Sequence, residues 1–248
     1  NGNSINKINN MSVKFNIKEA IKLYKEAGYE TSFPKSLKDV MKFMQKDKNL
    51  YTKKDVAYIL ATAKKESDYS LQRWESDFVC GRYGLPYFEK PCKNALDYYR
   101  STNGGKKNYY NLGTDKRGLP YFGRGLIQLT GKSNYKKYGD IIGVDLVGEP
   151  DYAMIPKNSY KIASEYFVKR NVFKDVNAGN LTQARKDVNG GKNGLNDVNK
   201  YYKIWLDILN NPKVKWNQTS NKSIVFDCVL DGVETKNETL TFKAKVHE

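Results

Sequence analysis

Residues 121–135 read Tyr-Phe-Gly-Arg-Gly-Leu-Ile-Gln-Leu-Thr-Gly-Lys-Ser-Asn-Tyr, and this segment decides how the fold is interpreted. It combines a glycine-rich turn, an apolar pair and several amide or hydroxyl side chains in one short run. Apolar walls with a few well-placed polar groups are typical of a ligand-binding cleft. The segment therefore predicts the wall of a cleft that binds sugar.

The histidine and cysteine content limits the chemistry that this cleft can perform. His247 is the only histidine and stands next to the C-terminus, so a Ser/His or Cys/His catalytic pair and a Cys/His zinc site are not expected. Cys80 and Cys92 flank a Gly/Pro loop and would be able to close a short disulfide, leaving Cys228 unpaired. We therefore expect chemistry that depends on carboxylates and needs no metal or cofactor.

Glu66 is the first candidate carboxylate. Thr52 has the position of a helix N-cap, and the helix that follows carries an apolar stripe that includes Ile59 and Ala63. Glu66 falls on the same face at the end of this stripe. Partial burial there favours the protonated carboxyl, which suits a general acid.

A second carboxylate is needed if the substrate is a glycoside. One carboxyl gives a proton to the leaving oxygen while the other activates water or attacks directly. Glu75 follows Trp74, whose ring would shape a sugar-binding site. Glu75 is thus the second candidate.

The hydrophobic pattern predicts a mainly α chain in three parts. Residues 1–14 are polar and are expected to form a flexible arm, residues 15–213 a helical domain, and residues 214–248 a small β extension that joins a further domain. Helices are predicted to begin near Asn16, Ser36, Thr52, Asn158, Asn180 and Asp197. Asp231-Gly232 predicts a hairpin turn in the β extension.

The net charge indicates a polyanionic partner. The formal charge is +16, and all of the excess lies before residue 215. Such a field favours encounters with nucleic acid, anionic membranes or a wall that carries teichoic acid. No membrane span or signal peptide is evident, and a start at Asn1 without Met suggests a processed product or an excised domain.

Three motifs together resemble glycoside hydrolase family 19, which includes chitinases and phage cell-wall lysins. They occur in the family's order: Ala61-Thr-Ala-Lys-Lys-Glu-Ser67, Gly123-Arg-Gly-Leu-Ile-Gln-Leu-Thr130 with Ser133-Asn-Tyr135, and Val188-Asn-Gly-Gly-Lys-Asn-Gly-Leu-Asn-Asp197. The resemblance implies a lysozyme-like bilobal helical domain with a loop-rich cleft and Glu66 as the acid. It implies Glu75 as the second carboxylate if the chain follows bacterial and phage members, and Glu89 if it follows plant-like members.

The resemblance also implies which residues contact substrate. Gln128 and Asn134 would bind sugar, Thr130 would hold the attacking water, and Asn189 would lie in the cleft. Tyr121 and Tyr135, at the ends of the deciding segment, complete the expected substrate-binding set: Tyr121, Gln128, Thr130, Asn134, Tyr135 and Asn189.

Four positions depart from the family pattern. Lys65 replaces the usual histidine, Asp68 and Tyr69 stand where small residues are common, and Val198 stands where an arginine is usual. That arginine normally tunes the acidic pair. A lysine beside Glu66 would also favour the ionised carboxylate.

The leading functional hypothesis is an inverting peptidoglycan hydrolase of the muramidase type, acting as an endolysin or a virion-associated enzyme, or otherwise secreted. Its expected partner is the bacterial cell wall, including teichoic acid, with no nucleic acid or membrane partner. A chitinase is the second hypothesis and a catalytically silent glycan-binding module the third. A nucleic-acid binder has charge and tyrosines in its favour but no recognised motif.

Overall fold

The computed structural model describes the backbone of residues 6–73, 112–118 and 120–225 and the side chains of residues 12–73, 112–118 and 120–218. This part of the chain contains eight α-helices, which confirms the predicted mainly α class. They are α1 (Ile17–Glu26), α2 (Pro34–Met44), α3 (Lys53–Ser67), α4 (Lys132–Ile142), α5 (Pro156–Lys169), α6 (Val172–Asn177), α7 (Leu181–Asn189) and α8 (Leu195–Asn210). Short 3₁₀ helices lie at Pro150–Met154 and Pro212–Val214.

Side-chain caps fix several helix starts. The Asn16 carboxamide accepts a hydrogen bond from the Glu19 N–H, and Thr52 forms a reciprocal capping box with Asp55. Asn180 caps α7 by accepting from the Gln183 N–H. These starts agree with the sequence predictions, because caps depend on local chemistry that the sequence displays directly.

Helix α3 is the centre of the core. Its residues 56–61 are fully buried, and it packs most extensively against α8. The Trp205 ring of α8 stacks on Tyr24 of α1 at 4.3 Å between centroids, and its indole N–H donates to the Tyr69 hydroxyl at 2.9 Å. Packing on several sides fixes the direction in which the end of α3 points.

The N-terminal segment differs from its prediction. Asn6–Lys14 forms strand β1, which pairs with strand β2 at Asn217–Val225. Residues 6–14 therefore form a paired strand where a flexible arm was predicted. Val13 and Phe15 alternate into the core, and Phe15 stacks on Trp216. Asparagine-rich composition concealed this short alternation.

Two compact units divide the chain: residues 11–220, and residues 1–10 with 221–248. The hairpin predicted at Asp231-Gly232 lies outside the described residues. None of the described helices combines the length and apolarity that a membrane crossing requires.

Candidate active site

A pocket of about 540 Å³ lies in the larger unit. Five parts of the chain surround it: the end of α3, the loop of residues 123–130, helix α4, helix α5 and the end of α7. Its lining residues are Glu66, Gly123, Ile127, Gln128, Leu129, Thr130, Asn134, Tyr166, Arg170, Val188, Asn189 and Gly190. Polar side chains from distant segments thus face one cleft.

Glu66 lies in this cleft and forms an ion pair with Arg185. Its Oε1 accepts a hydrogen bond from Arg185 Nη1 at 2.9 Å, and the Glu66 side chain is 22% exposed while that of Arg185 is 3% exposed. Arg185 Nε donates to the Asn193 carbonyl at 2.7 Å. The guanidinium is therefore fixed between Glu66 and the loop that follows α7.

Lys65 points to a different partner from the one that the sequence suggested. Its ammonium lies 2.6 Å from an Asp197 carboxylate oxygen. The hydrogen bond from Lys65 lowers the pKa of Asp197. The cation that contacts Glu66 is thus Arg185 from α7.

Gly194 permits this arrangement. A Cβ at Gly194 would lie 2.8 Å from Lys65 Cε and 3.3 Å from Arg185 Nη2, and its φ is +72°. The φ favours glycine, and a Cβ here would displace the end of the Lys65 side chain and crowd the buried Arg185. The segment of residues 188–197 therefore contributes a close backbone approach as well as a cleft residue.

The residues after Glu66 explain two departures from the family pattern. Asp68 and Tyr69 have φ values of 50° and 65°, a region that normally favours glycine. Asp68 accepts from the Ser32 N–H and from Lys64, while the Tyr69 hydroxyl bonds that of Tyr24. These contacts hold a turn that a small residue usually makes.

The segment of residues 121–135 approaches α5 closely at a glycine. A Cβ on Gly125 would lie 2.7 Å from the Ser159 hydroxyl and 2.9 Å from the Ala153 carbonyl. The Leu126 N–H donates to Ser159 Oγ, and the Leu126 carbonyl accepts from the hydroxyl of Ser67. The same short loop thus joins the helix that carries Glu66 to α5.

Arg124 holds the loop from inside. Its side chain is fully buried, its Nε donates to Asp151 at 3.0 Å, and its guanidinium stacks on the Phe122 ring at 3.8 Å. Arg117 joins the network by bridging Asp151 and Asp115. A charge at this depth requires such partners, so the network is structural.

Gln128 is the most constrained of the predicted sugar-binding residues. It has a φ of 55°, and its Nε2 donates to the carbonyls of Gly125 and Arg73. A Cβ on Gly123 would lie 2.8 Å from Gln128 Oε1. With both amide hydrogens occupied, Gln128 presents its oxygen as an acceptor for a substrate N–H or O–H.

Thr130, Asn134 and Asn189 also line the cleft, as predicted. The Thr130 hydroxyl donates to the Gln128 carbonyl at 2.8 Å, so its lone pairs remain to accept from a water. Asn134 Nδ2 donates to the Thr130 carbonyl, and Asn189 is exposed at the end of α7. The structure therefore brings four predicted residues together with Glu66.

Tyr121 and Tyr135 require a correction. They are 2% and 0% exposed, and neither lines the cleft. Tyr121 donates to the Val147 carbonyl, while Tyr135 donates to the Phe122 carbonyl and accepts from Arg124. The prediction that these rings bind sugar is wrong, because their hydroxyls brace the loop from behind.

The remaining predicted residues lie outside the described part of the chain. These are both candidates for the second carboxylate, Glu75 and Glu89, and the cysteines Cys80, Cys92 and Cys228. Their pairing and positions stay predictions.

Sequence reasoning missed Arg185, Arg170 and Tyr166. Arg185 stands four residues before Asn189 on α7, so both lie on one helix face. That spacing would have identified Arg185. Tyr166 on α5 and Arg170 directly after it have the same spacing, but neither stands four residues from a predicted cleft residue.

Comparisons with known proteins identify the family of this chain. A family profile described as chitinase class I matches residues 28–214. The match spans most of the chain, and the chain belongs to glycoside hydrolase family 19.

Relatives include Chitinase 8 of Oryza sativa subsp. japonica, which is 36% identical over 117 residues, covering 36% of this chain and 45% of that protein. Chitinase 11 of the same source is 62% identical over 32 residues, covering 13% of this chain and 12% of that protein. The chain thus matches less than half the length of these relatives. Chitinase C of Streptomyces griseus HUT6037 has a similar fold, with a TM-score of 0.51 at 16% identity, covering 80% of this chain and 95% of that chain.

Proposed function

We propose that this protein hydrolyses β-1,4 bonds of a glycan containing N-acetylhexosamine, with Glu66 as the general acid. The observation that carries the proposal is the half-buried Glu66 carboxyl, held against Arg185 in a cleft lined by amides and a hydroxyl. A Ser/His or Cys/His catalytic pair and a Cys/His zinc site are not expected, because the sequence has one histidine, His247. Two-carboxylate glycoside hydrolysis fits the residues present.

In the acid step, the Glu66 O–H gives its proton to the glycosidic oxygen as the bond from C1 to that oxygen breaks. Glu66 is then a carboxylate, and Arg185 at 2.9 Å stabilises the charge that forms. A water adds to C1 from the opposite face of the sugar and loses its proton to the second carboxylate, which inverts the configuration. The Thr130 hydroxyl is placed in the cleft wall to accept a hydrogen bond from that water.

Glu75 is the second carboxylate that we favour. The backbone carbonyl of Arg73 accepts hydrogen bonds from the Gly125 N–H and from the side chain of Gln128, which lines the cleft. Two residues of chain, at most about 7 Å, separate Arg73 from Glu75, whereas Glu89 is much farther along the chain. In an inverting enzyme, the carboxyls of Glu66 and Glu75 would stand roughly 6.5–9.5 Å apart.

Peptidoglycan is the substrate that we propose, cut between N-acetylmuramic acid and N-acetylglucosamine by an enzyme of the endolysin or virion-associated type. The net charge of +16 supports an anionic cell wall. Chitin is the second candidate, because the family profile is that of class I chitinases and the matching proteins bear chitinase names. A silent binding module is the third candidate: Lys65 pairs with Asp197, but Arg185 is a cation in direct contact with Glu66.

One experiment separates these candidates. Purified peptidoglycan and N-acetylglucosamine hexamer are each incubated with the protein, and the new reducing ends are reduced with borohydride and identified by mass spectrometry. Muramitol ends are the expected result. Glucosaminitol ends from peptidoglycan would make the protein a glucosaminidase, cleavage of the hexamer alone a chitinase, and no new ends a binding module.

A further inference from the structure

Arg170 is a cleft residue that the proposed reaction does not use. It follows α5 directly, and its guanidinium lies over the Tyr166 ring at 4.5 Å from the centroid. Its Nη1 donates to the carbonyl of Asp187 at 3.2 Å. Arg170 and Tyr166 both line the pocket that contains Glu66.

The charge of Arg170 is not neutralised by a described neighbour. Glu66 and Arg170 are the charged side chains of the described lining, and Glu66 is already paired with Arg185. No carboxylate of the described residues forms an ion pair with Arg170, whose polar neighbours there include the Asp187 carbonyl and the Tyr138 hydroxyl. The cleft wall thus presents a cation without a carboxylate partner among the described residues.

The surroundings of Arg170 strengthen its attraction for an anion. The rings of Tyr138 and Tyr166 lie 5.1 Å apart beside it, and burial raises the pKa of both phenols. Aromatic walls exclude water, and a charge near them is screened less than one on the open surface. An anionic substituent of the glycan would gain more here than at an exposed lysine.

We propose that Arg170 binds the 3-O-lactyl carboxylate of an N-acetylmuramic acid residue in the cleft. This inference deepens the proposed function and rests on it. N-acetylglucosamine polymers carry no anionic group, whereas every muramic acid residue carries one lactyl branch. A planar guanidinium matches a carboxylate in charge and geometry. Arg170 then supplies a preference for strands that carry free lactyl carboxylates over chitin.

The proposal also specifies the form of the substrate. Where a stem peptide is attached, the lactyl group is an amide and carries no charge. Arg170 therefore favours glycan strands whose peptides have been removed. The reaction that supplies this substrate belongs to the class of amide hydrolysis between the lactyl group and the peptide.

A structural role for Arg170 alone predicts something different. In that case, Nη1 would only tie α5 to the Asp187 carbonyl at the end of α7. Loss of this hydrogen bond would weaken the binding of charged and neutral substrates equally. Substrate charge therefore distinguishes recognition from support.

The test uses peptide-free glycan strands and the same strands with their lactyl carboxylates reduced to alcohols. Binding is measured by calorimetry with Glu66→Gln, so that no cleavage occurs, and with Glu66→Gln carrying Arg170→Gln. We expect reduction of the carboxylates to weaken binding to Glu66→Gln by roughly tenfold to a hundredfold. The double variant should bind both strands equally, at the weaker level.

Lys169→Gln in the same background is the control, since Lys169 is an exposed neighbouring cation outside the lining. It should keep the full sensitivity to carboxylate reduction. The proposal is overturned if Arg170→Gln weakens native and reduced strands by the same factor, or if reduction has no effect on Glu66→Gln. Failure of the wild type to cleave any strand would refute the proposed function instead, and the binding result would still decide the role of Arg170.

Discussion

Glu66 and Arg185 form an ion pair of 2.9 Å between residues that lie 119 positions apart in the sequence. The pair joins the end of α3 to α7, and Arg185 is itself fixed to the Asn193 carbonyl. The arginine thus orients the Glu66 carboxyl and stabilises the negative charge that proton transfer leaves there. Its removal should change chemistry more than binding.

Arg185→Gln should lower kcat by roughly a hundredfold while changing KM much less, since the lost interaction is strongest in the transition state. Arg185→Lys keeps the charge and should retain most of the wild-type kcat. A kcat of Arg185→Gln equal to that of the wild type would contradict this role.

Gly194→Ala should destabilise the protein and reduce its activity. The added Cβ meets Lys65 and Arg185, and the φ of +72° is strained for alanine. Gly179→Ala is the matched control, with a φ of +79° and nothing within 4 Å of the added Cβ. The control should lose only the strain energy of about 1 kcal/mol, with activity unchanged. Thermal unfolding measures the loss of stability, and kcat measures the loss of activity. If Gly194→Ala and Gly179→Ala lose equal amounts of both, the contacts of the added Cβ with Lys65 and Arg185 do not matter.

Asp151→Asn should destabilise the cleft wall by about 3 kcal/mol, because Arg124 is buried and loses its carboxylate partner. Asp140→Asn removes a pair that is about two-thirds exposed and should cost about 1 kcal/mol or less. Urea unfolding measures the change in the free energy of unfolding for both variants. Similar midpoints for the two variants would show that the buried network does not stabilise the loop.

Asp175 should make a pH-dependent contribution to stability. A hydrogen bond with Asp187 is the main cause that raises the pKa of Asp175. The folded state therefore binds this proton more tightly than the unfolded state, and the stabilisation is present at low pH and lost as pH rises through the raised pKa. Asp175→Asn should flatten the profile of melting temperature from the usual aspartate pKa of about 3.9 upward through the raised pKa. A variant with the wild-type profile would assign the dependence to other groups.

Local chemistry in the sequence was enough to predict much of the fold and part of the site. Caps at Asn16, Thr52 and Asn180 depend on neighbours a few residues away, so the helix starts were predictable. Gln128, Thr130 and Asn134 stand in one short motif and reach the same cleft.

Contacts between distant segments escaped prediction. The pairing of β1 with β2 joins the two ends of the described chain, and the partner of Lys65 is Asp197 on another helix. Tyr121 and Tyr135 were predicted to face the cleft because they stand in a cleft motif, but both are buried in the core. Which way a side chain points in an irregular loop depends on packing that no local pattern records.

Comparing Glu66→Gln with the wild type tests the central claim most directly. The amide keeps the shape and accepts from Arg185 but has no proton to give, so cleavage of peptidoglycan should fall by about 10²–10⁴-fold with unchanged melting temperature and strand binding. Glu26→Gln, at an exposed helical carboxylate, should retain full activity. A Glu66→Gln protein that releases muramitol-ended fragments at the wild-type rate would remove Glu66 from the mechanism.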